Sequence, residues 1–249
     1  MFDLTNKRAL ITGASSGFGR HFANVLAAAG AHLVLTARRL DVIEAVAADL
    51  REQHGREVKS VRMDVTERAG ILNVLGDCPP IDIVVNNAGV VTQQAPLETE
   101  ESAWDQVLDT NLKGMFFLAQ AIGRLWRDAR RGGNVINIAS IVGLRQIGGV
   151  LPYAISKAGV IQMTKILALE LARFGIRVNA LAPGYFVTDL NRDYFSSPPG
   201  QAMLRRVPMR RLGEEGDLDG PLLLLASDAS RYMTGSVIVV DGGHLVSSL

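Results

Sequence analysis

Thr12-Gly13-Ala14-Ser15-Ser16-Gly17-Phe18-Gly19 is the stretch on which the reading of this chain turns. It follows directly on a short apolar run, residues 8–12, and leads into residues 17–30, whose apolar positions recur at helical spacing. Glycines between a strand and a helix permit a tight turn, close approach of the backbone to an anion, and close helix–strand packing. The start of the helix then offers unpaired N–H groups and the positive end of its dipole. The spacing is Gly-x3-Gly-x-Gly rather than Gly-x-Gly-x-x-Gly. Taken alone, such a turn is as well explained by chain geometry. Its position after the first strand favours a pyrophosphate-binding loop built from Gly13, Ser15, Ser16, Gly17, Phe18 and Gly19.

Outward from this loop the pattern repeats. Strand-like runs are expected at residues 8–12, 32–37, 58–63, 81–86, 134–139, 177–182 and 236–240. Helical patterns fall between them at 17–30, 40–54, 67–76, 101–130, 152–174 and 214–227. Several runs, such as Ile81-Asp-Ile-Val-Val-Asn86, are nearly all apolar, as strands buried on both faces are. Strict alternation of strand and helix implies right-handed crossovers. The expected fold is therefore α/β: one domain, residues 1–249, with a doubly wound (Rossmann) sheet of about seven parallel strands and helices on both faces. The one irregular stretch, residues 184–211, contains Pro198-Pro199-Gly200, Tyr185, Phe186, Tyr194 and Phe195. It is read as a substrate lid.

The charge balance excludes several function classes. With 26 basic and 25 acidic side chains the net charge is +1, which gives no electrostatic reason to expect nucleic acid or an anionic membrane as partner. The arginines of Arg127-Asp-Ala-Arg130-Arg131 read as a solvated helix end. A single cysteine, Cys78, supports neither a disulfide framework nor a cysteine zinc site. His21, His32, His54 and His244 lack metal-ligand spacing, so no metal is expected. The chain enters a strand soon after Met1, without a leader-like segment or a bilayer-length apolar run. A cytoplasmic protein is expected.

The second strand ends in Leu35-Thr36-Ala37-Arg38-Arg39. Dinucleotide folds that bind NAD commonly place an acidic residue there, on the adenosine ribose. Here two guanidinium groups stand in its place, and their planar forks suit a 2′-phosphate. NADP(H) is expected over NAD(H), with Arg38 preferred and Arg39 beside it. The competing reading is that both arginines simply open the next helix.

Tyr153-Ala-Ile-Ser-Lys157 sets a phenol and an ammonium on one face of an expected helix. A phenol has a pKa of about 10 and is a poor acid or base near neutrality. A nearby Lys⁺, with an oxidised nicotinamide, would favour the phenolate. With 4 tyrosines among 249 residues and few lysines, chance supplies such a pair only about 0.08 times. Alone, the pair is still compatible with a helix surface. Ser140, which ends the strand Asn137-Ile-Ala-Ser140, points toward the carboxyl edge of the sheet, where its hydroxyl would polarise a carbonyl.

These residues, with Asp64-Val65, Asn86-Asn87-Ala88-Gly89, Asn111, Pro183-Gly184 and Thr188, make the chain resemble the compact short-chain dehydrogenases/reductases over nearly its whole length. The resemblance implies hydride transfer between a nicotinamide and a carbonyl carbon. It makes Tyr153 the proton donor and Ser140 the residue that orients the carbonyl. Lys157 would lower the tyrosine pKa and hold the ribose, and Asn111 would hold a relay water. Asp64 and Val65 would meet the adenine, Asn87, Ala88 and Gly89 the adenosine side, and Pro183, Gly184, Val187 and Thr188 the nicotinamide and pyrophosphate. Reduction takes up a proton, so low pH favours the alcohol.

Two segments should enclose the substrate: residues 143–151 and the stretch 184–211. Leu144, Ile147, Val150, Leu151, Tyr185, Phe186 and Phe195 suggest an apolar pocket for a medium-sized hydrophobic ketone, with Gln146 or Arg145 as polar anchors. Ser140, Leu144, Gln146, Tyr153 and Tyr185 are the expected substrate contacts. The chain is also similar to 3-oxoacyl-(acyl carrier protein) reductases. Arg131 is placed to grip an acidic carrier, although Phe174 stands where a second arginine is often found, with Arg173 one residue earlier. A non-catalytic nucleotide-binding regulator is the remaining alternative, against which the intact Ser140, Tyr153 and Lys157 argue. By resemblance the assembly is a homotetramer acting on a small molecule.

Overall fold

The computed structural model describes residues 2–187 and 197–247. Seven strands form one parallel sheet: β1 Arg8–Thr12, β2 His32–Ala37, β3 Val58–Arg62, β4 Ile83–Asn86, β5 Gly133–Ile138, β6 Ile176–Pro183 and β7 Val237–Val240. Their order is β3-β2-β1-β4-β5-β6-β7. The chain winds outward from β1 to β3, crosses back, and winds the other way from β4. The change of direction opens a crevice between the carboxyl ends of β1 and β4, where α/β sheets bind ligands.

The helices cover both faces. They are α1 Gly17–Ala28, α2 Leu40–His54, α3 Arg68–Asp77, α4 Glu101–Leu108, α5 Gly114–Asp128, α6 Leu151–Leu171, α7 Pro198–Leu204 and α8 Asp219–Ala226. Side chains alternate across a strand, and both sets find cover here. Ala9 and Ile11 pack with Phe22, Leu26, Leu222 and Leu225 on one face. Leu10, between them, packs with Ile71, Leu118 and Trp126 on the other. This double burial is why the strands read as apolar runs. Edge strand β7 is covered less, with Val239 exposed.

Three expected elements take a different form. The helix expected at 101–130 is broken into α4 and α5 by a π-helical turn, Asp109–Lys113. Residues 214–227 begin as a 3-10 turn, Glu215–Leu218, before α8. The stretch 184–211 contains a short helix, α7, started by Ser197 and proline at its first turn. Thr188, Tyr194 and Phe195 lie outside the described residues.

Polar side chains tie β4, β5 and α6 together inside the core. Asn86 Nδ2 donates to Asn137 Oδ1 at 2.9 Å and to Met115 O at 3.2 Å, and Asn137 Nδ2 donates to Thr164 Oγ1 at 2.9 Å. Thr164 passes its own proton to Val160 O at 2.8 Å. All three residues are buried. Such a chain stabilises only while complete, because each orphaned group costs about 1–3 kcal/mol. Asn137→Ala should therefore lower the unfolding free energy by about 2–4 kcal/mol in urea titration. A loss below about 0.5 kcal/mol would show that water replaces the missing amide.

Candidate active site

The glycine loop leaves β1 and enters α1 with very little room. Gly13 has φ +66°, and a Cβ there would stand 3.0 Å from Ala88 Cα. A Cβ on Gly19 would lie 2.2 Å from Gly13 O and 2.6 Å from Asn87 Nδ2, so only a hydrogen fits. Gly17 has φ +49° and open space around its Cβ position. Thr12 closes the crevice from beneath. Its Oγ1 accepts from Asn87 N and Ala88 N at 2.9 Å each, and Asn87 Nδ2 donates back to Thr12 O at 2.9 Å.

This loop fits the pyrophosphate of a dinucleotide. Ser16 precedes α1 without capping it through its side chain, and no acidic residue occupies the first turn. The N–H groups of the helix start are left for an anion. A cavity of about 1370 Å³ runs from this loop across the carboxyl edge of the sheet. Arg38, Arg39 and Asp64 line one end, and Ser140, Tyr153 and Lys157 the other. Arg38 and Arg39 are exposed, and their side chains make no hydrogen bond or ion pair among the described residues. Asp64 is turned inward on its own loop, accepting from Thr66 N and Thr66 Oγ1 at 2.9 and 2.8 Å.

Most of the residues expected at the cofactor meet at this cavity. Gly13, Ser15, Ser16, Phe18, Val65, Asn87, Ala88, Gly89 and Pro183 share its wall. Gly17 and Gly19 shape the loop without lining it. Gly184 donates its N–H to Val240 O at 2.8 Å and packs on Asp241, and Val187 N–H is bonded to Gly213 O at 3.0 Å. Both stand beside the wall, and Thr188 is outside the described residues.

At the other end α6 carries Tyr153, Ser156 and Lys157 on one face. Burial of its hydroxyl pushes the Tyr153 pKa above 10, and a hydrogen bond from Ser140 opposes the rise. Ser140 Oγ also accepts from Val142 N at 3.3 Å, which holds the hydroxyl at the end of β5. Lys157 is 3% exposed, and its Nζ lies 5.5 Å from the centre of the Tyr153 ring. Nζ donates to Ile138 O at 2.7 Å. An ammonium has three donors, so two remain in a residue that lines the cavity, as ribose hydroxyls require. Burial without a carboxylate partner lowers the Lys157 pKa to about 8.

Asn111 sits in the π turn, fully buried. Its Oδ1 accepts from Val90 N at 2.8 Å, and its Nδ2 donates to Val90 O at 2.8 Å and Ser156 Oγ at 3.1 Å. Ser156 in turn donates to Tyr153 O at 2.7 Å. The side chain is thus engaged as a clamp between the π turn, the loop after β4 and the Tyr153 turn. A π turn of this kind commonly marks a functional site.

The expected substrate wall is only partly assembled. Ile147, Val150 and Tyr185 line the cavity. Leu144, 44% exposed, and Leu151, 38% exposed, face outward. Phe186 is core, its ring edge-on to Phe18 at 5.3 Å. The sequence reading placed it at the substrate because it follows Tyr185, but alternation along the chain turns it inward. Gln93, Val142 and Met203 also line the cavity and carried no signal in the sequence. Gln146 lies in an adjoining space described below.

The buried lysine makes stability depend on pH. Below about 8 the folded and unfolded chains both carry the proton, and the fold bears the full cost of the buried charge. Between about 8 and the ordinary 10.5 the folded chain releases the proton first, so stability gains as pH rises. Lys157→Met has no such titration. Its stability advantage over wild type should shrink by about 3 kcal/mol between pH 7 and pH 10.5, read by urea unfolding. A difference independent of pH would show that Lys157 keeps an ordinary pKa.

A family model described as enoyl-(acyl carrier protein) reductase matches residues 13–244. The 3-oxoacyl-[acyl-carrier-protein] reductase of Chlamydia trachomatis is 37% identical over 244 residues, covering 96% of this chain and 98% of that protein. A short-chain type dehydrogenase/reductase from Mycobacterium marinum superposes with TM-score 0.90 at 40% identity, covering 98% of this chain and 97% of that one. A gluconate 5-dehydrogenase from Burkholderia cenocepacia, in complex with NADP and tartrate, superposes with TM-score 0.93 at 35% identity, covering 99% and 98%. On these grounds the chain is an oxidoreductase acting on alcohol or ketone substrates and belongs to the short-chain dehydrogenase/reductase family.

Proposed function

We propose that this protein is an NADP(H)-dependent carbonyl reductase/alcohol dehydrogenase that interconverts a ketone and a secondary alcohol. The observation that carries this reading is the desolvated Ser140–Tyr153–Lys157 cluster at one end of a cavity whose other end is a glycine-loop anion site. When bound, the reduced nicotinamide supplies the hydride that reaches the carbonyl carbon. Ser140 donates a hydrogen bond to the carbonyl oxygen and orients it. Tyr153 delivers its proton to that oxygen as negative charge develops. Lys157 stabilises the phenolate left behind, and the Tyr153 pKa, raised by burial, keeps the phenol protonated until that moment. Asn111 is a positioning residue in this scheme, fixing Val90 and the Tyr153 turn.

NADP over NAD rests on Arg38 and Arg39, two guanidinium groups unpaired among the described residues, which stand at the close of β2 where an NAD site carries an acid; Asp64, at the same end of the cavity, is turned to Thr66. The relative from Burkholderia cenocepacia was solved with NADP, which fits.

A small-molecule ketone is favoured over a carrier-bound acyl group. Arg131, the residue proposed to grip a carrier, is half-buried and already engaged by the chain's own groups. Its Nη1 pairs with Asp82 Oδ1 at 2.9 Å and its Nη2 donates to Ile81 O. Arg173 lies over Phe174, 4.7 Å from its ring centre. The intact catalytic cluster likewise weighs against a non-catalytic regulator. A cytoplasmic homotetramer suits this reading, since Ile155, Ile166 and Leu169 give α6 an exposed apolar face for pairing with a second copy.

Two variants test the assignment by loss of reduced-cofactor absorbance with ketone substrates. Tyr153→Phe should reduce kcat by about a thousandfold with NADPH binding retained. Full activity of that variant would remove the mechanism. Arg38→Ala should raise KM for NADPH by about tenfold to a hundredfold and leave KM for NADH little changed. An equal effect on both cofactors would make Arg38 a plain helix-opening residue.

A further inference from the structure

A second cavity of about 450 Å³ adjoins the first. Val142, Ile147, Tyr185 and Met203 wall both, so the two spaces meet at these side chains. Its remaining wall combines Ile141 and Ala202 with the polar and cationic Arg145, Gln146, Arg206 and His244. Among the described residues no carboxylate lines it.

The two arginines are differently held. Arg145 Nη1 donates to His244 O and, at 2.9 Å, to Ser247 Oγ, which fixes the guanidinium and leaves its Nη2 and Nε without a partner. Arg206, exposed just beyond α7, makes no side-chain hydrogen bond or ion pair among the described residues. The nearest acid, Asp241, is committed to its own turn, accepting from Gly243 N at 2.8 Å and Leu245 N at 2.7 Å. His244 is buried, its ring tilted 45° to that of Tyr185 at 5.4 Å, and its Nδ1 has no partner. Burial first, and then the charge of Arg145, lower its pKa; Asp241 opposes the fall and Arg206 adds to it. The imidazole is thus held toward its neutral form and shares the cavity wall with two guanidinium groups, neither of them ion-paired among the described residues.

Two forks that repel each other in a partly enclosed space are relieved by an anion, and their planar donors match a carboxylate. We propose that this cavity binds a carboxylate of the substrate between Arg145 and Arg206, so that the enzyme works on an oxo acid and its hydroxy acid. The inference rests on the ketone-reductase reading. It adds a charged end to the apolar pocket expected from the sequence, of which Ile147, Val150 and Tyr185 line the main cavity.

The test uses the full-length enzyme with NADPH, on levulinate, its longer straight-chain oxo-acid homologues and the methyl ester of each. At one or two chain lengths the acid should exceed its ester in kcat/KM by about tenfold or more. Arg206→Gln should erase that preference through KM, Arg206→Lys should keep most of it, and Arg206→Glu should invert it. Equal turnover of acid and ester at every length would overturn the carboxylate site and leave the reductase reading standing. A Gln variant that weakens acid and ester alike would do the same. Turnover of no carbonyl at all would remove both.

Discussion

The site depends on how closely three backbones approach at one point: the turn after β1, the start of α1 and the exit of β4. Gly19 has room for a hydrogen only, since Gly13 O would stand 2.2 Å from its Cβ. Thr12 Oγ1 accepts two N–H groups from the β4 exit and Asn87 returns a bond to Thr12 O. That reciprocal tie sets the depth of the crevice at the sheet's change of direction. It also decides which N–H groups stay unpaired at the start of α1. A side chain at Gly19 would push α1 off the sheet and move the anion site with it. The remainder of the cavity wall, from Arg38 to Pro183, is hung on strands whose register this tie holds.

At the opposite end the governing cost is electrostatic. Lys157 is an ammonium enclosed without a carboxylate, held by Ile138 O and the face of Tyr153. Removing a charge from water without a partner is expensive, and the fold tolerates it because the Asn86–Asn137–Thr164 chain and the Asn111 clamp hold α6 rigidly beside β4 and β5. The same burial that lowers the Lys157 pKa raises that of Tyr153. The two groups are therefore poised in opposite directions, the lysine toward losing its proton and the phenol toward keeping it. Charge arriving at the cavity, whether on a cofactor or on a developing alkoxide, acts on both at once.

How much of this was legible in the sequence follows from the range of each interaction. The strands were readable because both faces are buried, so Ile83-Val84-Val85 shows as an unbroken apolar run. The meeting of the glycine loop, Ser140, Tyr153 and Lys157 at one cavity was readable because each lies in a short local pattern at a strand end or on one helix face. The π turn was not, since the 101–130 pattern is helical throughout and the break is imposed by Asn111 bonding to Val90, 21 residues away. Arg131 looked free because its partner, Asp82, lies 49 residues upstream. Phe186 looked like pocket because proximity in sequence to Tyr185 says nothing of which side a residue faces.

The substrate end shows the same limit most sharply. Arg145 follows the β5 turn, Arg206 lies just beyond α7 and His244 follows β7, so nothing local marks them as neighbours. Only the right-handed winding of the sheet, which brings the carboxyl ends of β5, β6 and β7 side by side, makes them one wall. The cavity system is thereby charged at both ends: Arg38 and Arg39 line one, Arg145 and Arg206 the other, and the neutral Ser140 and Tyr153 lie between them. A substrate anchored at its far end by charge has its carbonyl position fixed by chain length alone. Selection among ketones in such a site is a matter of distance between two functional groups, which an apolar pocket cannot measure.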